Sequence, residues 1–404
     1  MRPRSPLRRK IARIVTALGM TAAALTAAPA AHAASTAPVE LPRLVREDAA
    51  NHAPMLEAEV NFWNVARIAA VGLNNDGQDA FAPPGGWDDL SRPWAGGPSG
   101  PGSVARTAGK LLMLYRNSLS GDIIPSACSA NVVTSANKST IVAAGHCFKV
   151  SANIRGYIYG DDVIVNAVFI PGFNGAALAR YNGSEANAGL PGTDVAPYGV
   201  WGLTRAWITP TWDGDDTFRS GGDVAMATVE RPGDPTPIQD VTGGQNIAFG
   251  VDTNPMTLYQ FGYPTDNYRN WYWSKNNDGS QTPAWGVDPS QWRGFDGRSL
   301  MYAKGTTIPD ATIGSFGHDM PSAMSAGSSG GPWLMNFDPA TGTGTQIAVT
   351  SRFTNTTGNS PWWDAANMVT HGATPNWGYG PYLVSNGFGS LSQAMYDVVQ
   401  NATR

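Results

Sequence analysis

The chain has 404 residues, of which 42% are hydrophobic and 14% charged, with 47 glycines, 30 prolines and a formal charge of −4. The second half has no long amphipathic helical repeat, so this composition predicts short strands and many turns, as in an all-β protein. It excludes a strongly basic chain built to bind a polyanion.

The first 33 residues have the features of a secretory signal peptide. Basic residues precede an apolar stretch over 14–30, and the small residues Ala31-His32-Ala33 follow as a cleavage site. Threonine and alanine dilute the apolar stretch, which argues against a permanent membrane anchor. Cleavage after Ala33 leaves 21 basic and 31 acidic residues, a formal charge of −10. The sequence therefore predicts a secreted, extracellular protein with no stable membrane anchor and no nucleic-acid partner.

Residues 34–106 differ in composition from the rest of the chain. The stretch 44–71 is rich in Ala, Glu, Arg and Leu and is predicted to be helical, whereas 95–103 is a flexible Gly/Pro-rich connector. We interpret 34–106 as a pro-segment and linker, processed after Arg106, and 107–404 as one domain. The alternative is an N-terminal arm that stays attached and packs on that domain.

The only two cysteines lie near a predicted strand end that carries a histidine. Thr140–Ala143 is apolar and β-branched, and His146-Cys147 follows it closely. A disulfide between Cys128 and Cys147 would close a loop of about twenty residues, which contributes roughly 3 kcal/mol and holds the segment bearing His146. A zinc site, the alternative, lacks the usual paired ligand spacing. Because histidine titrates near neutral pH, His146 is the candidate general base.

Two aspartates compete for the role of the buried carboxylate that would orient this base. Asp223 precedes the run 224–229, which is predicted to be a buried strand. Asp194 also begins an Asp-Val-Ala triplet, but Pro197 follows at once and interrupts a strand. Asp223 is therefore the favoured partner of His146.

The segment Gly327-Ser-Ser-Gly-Gly-Pro332 has the backbone shape of a turn that presents one serine hydroxyl. Ser329 is the candidate nucleophile. Acyl transfer needs donors aimed at the oxygen that becomes negative, and a glycine at 327 lets the chain turn two N–H groups toward one point. The backbone N–H groups of Gly327 and Ser329 are therefore the predicted oxyanion hole.

These motifs together resemble the chymotrypsin/trypsin-like serine peptidases, which share the order His, Asp, Ser. The lead-in 107–113 and the late segment 379–382 are similar to the bacterial secreted branch that includes the glutamyl endopeptidases. The resemblance covers residues 107–390. It implies an all-β fold of two antiparallel six-stranded β-barrels with the active site in the cleft between them. It also implies a secreted serine endopeptidase, probed here as a monomer without cofactor or metal.

The resemblance assigns His146 as the base, Asp223 as its carboxylate and Ser329 as the nucleophile that forms an acyl-enzyme. Ser328 departs from the digestive members, in which an aspartate at this position pairs with the freed N-terminal amine. We therefore expect any processing to relieve occlusion by the pro-segment without assembling the oxyanion hole.

The residues expected to line the primary pocket depart from trypsin as well. Ala323 stands six residues before the nucleophile, where trypsin has an aspartate, so cleavage after Arg or Lys is not supported. The strand 347–353 should pair with the substrate backbone and places Ser351 near the pocket. Thr350 stands close to a histidine position of glutamyl endopeptidases, which leaves acidic preference unsupported too; Arg352 is read as a solvated side chain.

Two other functions fit parts of the sequence. The Gly-x-Ser-x-Gly pattern around Ser329 also matches the nucleophile elbow of α/β-hydrolases, with Asp364 and His371 downstream, but Gly331-Pro332 predicts a turn into a strand and not into a helix. A catalytically silent adhesion or carbohydrate-binding protein on the peptidase fold is the second alternative.

Two further clusters are read as structural. The aromatic residues over 259–292, including Trp271, Tyr272 and Trp273, are predicted to belong to a core and a long loop in preference to a sugar-stacking surface. The acidic residues at 213–216 lack the spacing of a calcium loop and are read as a solvated turn.

Overall fold

A computed structural model describes residues 36–45, 48, 50–71, 92–95, 100–150, 161–181, 189–190, 193–214, 222–251, 255–265, 273–275, 281–283, 296–310, 314–322, 324, 326–354 and 382–404. The predicted signal peptide lies outside these residues. Within them the chain from Thr36 onward forms one compact unit.

The strands are β1 (Val39–Glu40), β2 (Arg92–Pro93), β3 (Ala108–Asn117), β4 (Ile123–Val132), β5 (Thr140–Ala143), β6 (Lys149–Val150), β7 (Asp162–Pro171), β8 (Trp201–Ile208), β9 (Ala225–Glu230), β10 (Asn246–Ile247), β11 (Thr257–Gly262), β12 (Trp273–Lys275), β13 (Gln281–Pro283), β14 (Met301–Thr306), β15 (Ile308–Asp310), β16 (Gly314–Pro321), β17 (Pro332–Asp338), β18 (Thr343–Thr354) and β19 (Tyr382–Gly387). The helices are α1 (His52–Phe62), α2 (Val65–Val71), α3 (Val104–Thr107), α4 (Pro210–Gly214), α5 (Ile238–Thr242) and α6 (Ser390–Val399), with 3₁₀ turns at Gly145–Cys147 and Gly175–Arg180.

Six antiparallel strands close the first barrel. They pair in the order β8, β9, β5, β4, β3 and β7, and β7 returns to β8 where Val168 lies opposite Gly202. The β-branched run Thr140–Ala143 is buried along its whole length between β4 and β9, as expected for a strand with both faces covered. Closure removes the exposed strand edges that would otherwise invite aggregation.

The second half of the chain forms a nine-stranded sheet. Its order is β15, β16, β19, β18, β17, β11, β14 and β2, with β10 parallel to β18. β14 also lies close to β16, so the sheet curls back on itself. A closed six-stranded barrel followed by a second curved sheet confirms the all-β class and the double-barrel architecture expected from the sequence.

Aromatic side chains fill part of the second half. In β11, Tyr259 and Phe261 pack against Phe337, with ring centroids 4.7 and 5.0 Å away, and Trp94 meets Phe261 edge to face. These contacts agree with a core role for the start of the aromatic stretch. The side chains of Trp271, Tyr272 and Trp273 lie outside the described part of the chain.

The first barrel also carries chain segments from both ends. The C-terminal α6 packs against β8 and β9, and the Asn137 amide donates to the Val399 carbonyl at 2.8 Å, satisfying a carbonyl at the helix end. At the other end, the stretch predicted to be helical over 44–71 contains α1 and α2, with Trp63 and Asn64 between them. Among the described helices, none has the length and hydrophobicity needed to cross a membrane.

Candidate active site

His146 lies in the 3₁₀ turn that directly follows β5. Its Nδ1 lies 2.9 Å from Oδ2 of Asp223, and its backbone N–H donates to Oδ1 of the same carboxylate at 2.7 Å. Asp223 is fully buried, whereas the His146 side chain keeps 14% of its surface exposed. A carboxylate acceptor at Nδ1 places the imidazole proton there and leaves Nε2 able to accept another.

Asp223 receives a third hydrogen bond, from the second sheet. The Ser351 hydroxyl in β18 donates to Oδ2 at 2.6 Å. Three donors therefore surround one buried carboxylate, which compensates for its loss of water. Sequence reasoning placed Ser351 near the substrate pocket; the structure places its hydroxyl on the carboxylate, and a pocket role for it stays a prediction.

Asp194, the competing aspartate, lies elsewhere. Its carboxylate accepts a hydrogen bond from the Tyr181 hydroxyl at 3.0 Å and pairs with Arg180, whose side chain is mostly exposed. The structure thus brings Asp223, and not Asp194, to His146.

The Ser329 loop connects β16 to β17 and is held by β4. The backbone N–H of Ser129 donates to the Ser329 carbonyl at 2.8 Å, and the Ser129 hydroxyl donates to the Gly327 carbonyl at 2.8 Å. The same hydroxyl accepts from the Tyr263 N–H at 2.8 Å. One buried serine of the first barrel therefore holds the nucleophile loop of the second sheet at two points.

Gly330 allows this loop to lie against the strand end that leads to His146. Its φ is +78°, and a Cβ on it would lie 2.4 Å from the Ser129 carbonyl oxygen and 2.9 Å from the Ala144 nitrogen. No side chain fits such an approach. Ser329, Ala144 and the His146 turn are thereby brought to one place.

The two peptides of the predicted oxyanion hole have fixed orientations. The Ala326 carbonyl accepts from the Thr265 N–H at 2.7 Å, and the Ser328 carbonyl accepts from the Gly331 N–H at 2.9 Å. In a planar trans peptide the C=O and the following N–H point in opposite directions. These two bonds therefore direct the N–H groups of Gly327 and Ser329 away from Thr265 and Gly331.

The disulfide between Cys128 and Cys147 joins the two halves of this arrangement, as the sequence predicted. Cys128 precedes Ser129, which holds the nucleophile loop, and Cys147 follows His146. The two sulfurs and His146 are the one group of potential metal ligands found among the described residues. Because the sulfurs are bonded to each other, neither offers the thiolate that a metal would need.

Several supporting residues were not singled out from the sequence. The Tyr115 hydroxyl donates to the Cys147 carbonyl at 3.0 Å, and the Trp212 indole in α4 donates to the Lys149 carbonyl at 2.9 Å, with its ring 6.4 Å from that of His146. The sequence offered no motif for either one. Both hold the 3₁₀ turn of His146 from the side of the first barrel.

A buried lysine lies behind the nucleophile loop. Lys110 in β3 lies opposite Ser129 of β4, and its ammonium group donates to the Gly297 carbonyl at 2.8 Å. The rings of Phe173 and Tyr263 lie 5.2 and 6.0 Å from Nζ. Burial lowers the pKa of Lys110 from its ordinary 10.5 to about 7, with Asp296 partly opposing the effect. Burial likewise raises the pKa of Tyr263.

Ser328 and the remaining predicted site residues can now be placed. Ser328 is buried, and a Cβ on Gly262 would lie 2.9 Å from its own Cβ. Ala323, the predicted pocket residue, lies outside the described residues, as do Asp364 and His371 of the alternative elbow, Asp215, Asp216 and the side chains of Asp213 and Arg352.

Solved structures similar to this chain are serine proteases. Protease Anisep from Arthrobacter nicotinovorans has 20% identity and a TM-score of 0.48, covering 78% of this chain and 100% of its own. The thermostable serine protease AL20 from an extremophilic microorganism has 23% identity and a TM-score of 0.47, covering 74% and 99%. A Glu endopeptidase in complex with MPD has 13% identity and a TM-score of 0.45, covering 78% and 98%. No protein-family model and no curated protein matches the chain. The likeness is one of fold, within the class that the motifs resemble.

Proposed function

We propose that this protein is a secreted serine endopeptidase that hydrolyses peptide bonds through His146, Asp223 and Ser329. One observation carries the proposal: the buried carboxylate of Asp223 binds both Nδ1 and the backbone N–H of His146, at 2.9 and 2.7 Å, beside the loop that bears Ser329. A structural histidine needs no such two-point hold on a solvent-accessible ring.

The reaction would proceed in two steps. The Ser329 hydroxyl attacks the peptide carbonyl while Nε2 of His146 takes its proton, and the N–H groups of Gly327 and Ser329 stabilise the oxyanion. His146 then gives the proton to the leaving amine, which yields the acyl-enzyme. A water molecule, activated by His146, hydrolyses that ester and restores the serine. Asp223 stays ionised and stabilises the imidazolium formed in each step.

The substrate is a protein or peptide, and the enzyme works outside the cell as a monomer, without a cofactor or a metal. Ala323 gives the pocket no charge suited to Arg or Lys side chains. A peptide-library cleavage profile would test this, and strict cleavage after basic residues would overturn the pocket assignment.

Labelling with a fluorophosphonate probe tests the nucleophile directly. We expect the secreted protein to be labelled at Ser329, and expect Ser329→Ala and His146→Ala to lose the label while keeping the wild-type melting curve. Absence of label in folded wild-type protein would favour the silent adhesion or carbohydrate-binding alternative. Label that survives His146→Ala but is lost in His371→Ala would favour the esterase alternative.

A further inference from the structure

The segment 36–71, here called the N-terminal arm, completes an edge of the first barrel. β9 pairs with one edge of β8 from Gly202 to Ile208. On the other edge β7 reaches only the start of β8, and β1 of the arm pairs with its end, with Val39 opposite Ile208. The Leu41 N–H also donates to the Ala206 carbonyl at 2.9 Å. Without the arm, this part of β8 would be an unpaired strand edge.

A buried glutamate of the arm performs the same task for β7. The β7–β8 ladder runs at 168–169, and just before it the Ala167 N–H donates to Glu59 of α1 at 2.9 Å. Glu59 is only 6% exposed. A Cβ on Gly202 would lie 2.6 Å from Leu56 and 3.0 Å from Glu59, so α1 lies directly on the barrel strand. The carboxylate thus substitutes for a neighbouring strand.

The apolar side chains of the arm belong to a core that the barrel shares. Val60, Trp63 and Ile68 are fully buried in one cluster with Leu112 of β3 and Val168 of β7. The Trp63 indole also donates to the Asn166 side chain at 2.8 Å. Loss of the arm would expose this apolar surface to water, which opposes folding.

Ion pairs hold the arm at both ends, and its contacts leave the active site open. Arg205 of β8 donates twice to the Glu40 carboxylate, at 2.8 and 2.9 Å, and His52 lies 2.6 Å from Glu230 of β9. Among the contacts described above, none between the arm and the barrel involves the triad. This arrangement differs from that of an inhibitory pro-segment, which must cover the site that it blocks.

We propose that the N-terminal arm is a permanent part of the first barrel, retained in the mature secreted protein. Processing after Arg106 fits poorly with the surroundings of that residue. Arg106 lies in α3, its guanidinium donates to the Val241 carbonyl and lies 4.7 Å from the Tyr198 ring, and the next residue, Thr107, is fully buried. Removal of the leader before residue 36 leaves all of these contacts intact.

The composition of the secreted protein tests the proposal without reference to activity. Full-length protein is expressed with its leader, purified from the medium without denaturant, and then measured by mass spectrometry under denaturing conditions. We expect peptides covering 36–71 in equal amount to those of the barrel, either on one chain or on a cleaved chain that stays bound. Folded protein that lacks residues 36–71 would overturn the proposal.

Melting of the mature protein gives a second measurement. Ile68→Ala removes a fully buried side chain of the arm, whereas Glu57→Gln changes an exposed one on α1. If the arm is retained, Ile68→Ala melts several degrees lower and Glu57→Gln does not. If it is removed, mature wild type and Ile68→Ala are the same molecule and must melt together, which would overturn the proposal. Should Ile68→Ala fail to be secreted, the milder Ile68→Val replaces it, with the same two outcomes.

Discussion

Lys110 makes the stability of this protein depend on pH in a predictable direction. Its ammonium group is fully buried, and burial lowers its pKa from 10.5 to about 7. The unfolded chain therefore binds one more proton than the folded chain between these two pH values. Below pH 7 the charge is present in both states and the full cost of burying it opposes folding. As the pH rises from 7 toward 10.5, the folded state loses the charge first and stability increases.

The magnitude follows from the two pKa values. Lowering the pKa from 10.5 to about 7 corresponds to roughly 5 kcal/mol. Stability should rise by about 1.4 kcal/mol for each pH unit within this interval. Between pH 7 and pH 9 the gain attributable to Lys110 is thus about 3 kcal/mol.

Denaturant unfolding at several pH values between 6 and 9 measures this gain. Lys110→Met keeps the length of the side chain but cannot titrate, so wild type should gain about 3 kcal/mol relative to it from pH 7 to pH 9. Groups that titrate in both proteins cancel in this difference. Lys304→Met, which changes an exposed lysine of β14, should remain parallel to wild type. A difference between wild type and Lys110→Met that does not change with pH would refute the reasoning.

Three further predictions concern the active site. Asp223→Asn should lower kcat by about 10⁴-fold with the fold intact, because Nδ1 of His146 loses its acceptor; near-normal turnover of a peptide ester would contradict this. Removing both cysteines as Cys128→Ala with Cys147→Ala should lower the free energy of unfolding by roughly 3 kcal/mol in denaturant titrations, and an unchanged midpoint would refute it. Ser129→Ala should lower kcat by about 10²-fold with little change in KM, since it releases the nucleophile loop; an effect on KM alone would point to a role in substrate binding instead.

The sequence was most informative where chemistry restricts the residue type. The glycines around Ser329 are needed for a positive φ and a close backbone approach, and His146 lies beside a cysteine, so both could be recognised locally. Asp223 was preferred to Asp194 because a strand follows it, and β9 does begin at Ala225. The two cysteines could be paired because no other cysteine exists.

Long-range contacts could not be predicted in this way. Ser129 is an ordinary strand residue until β4 is placed beside the Ser329 loop, 200 positions later. The role of Ser351 on the Asp223 carboxylate also depends on the packing of β18 against the first barrel. The arm was expected to be helical, but a composition rich in Ala, Glu and Leu does not reveal which face is buried, or that Glu59 will replace a strand partner.

The hold that Ser129 has on the nucleophile loop divides ownership of the active site between the two halves of the chain. The serine belongs to the second sheet, while the groups that fix its carbonyl and that of Gly327 belong to the first barrel. A small separation of the halves would therefore disarm the enzyme before either core lost its packing. Inactivation and unfolding are then distinct events, and the catalytic cleft is the weakest joint of an otherwise well-packed molecule.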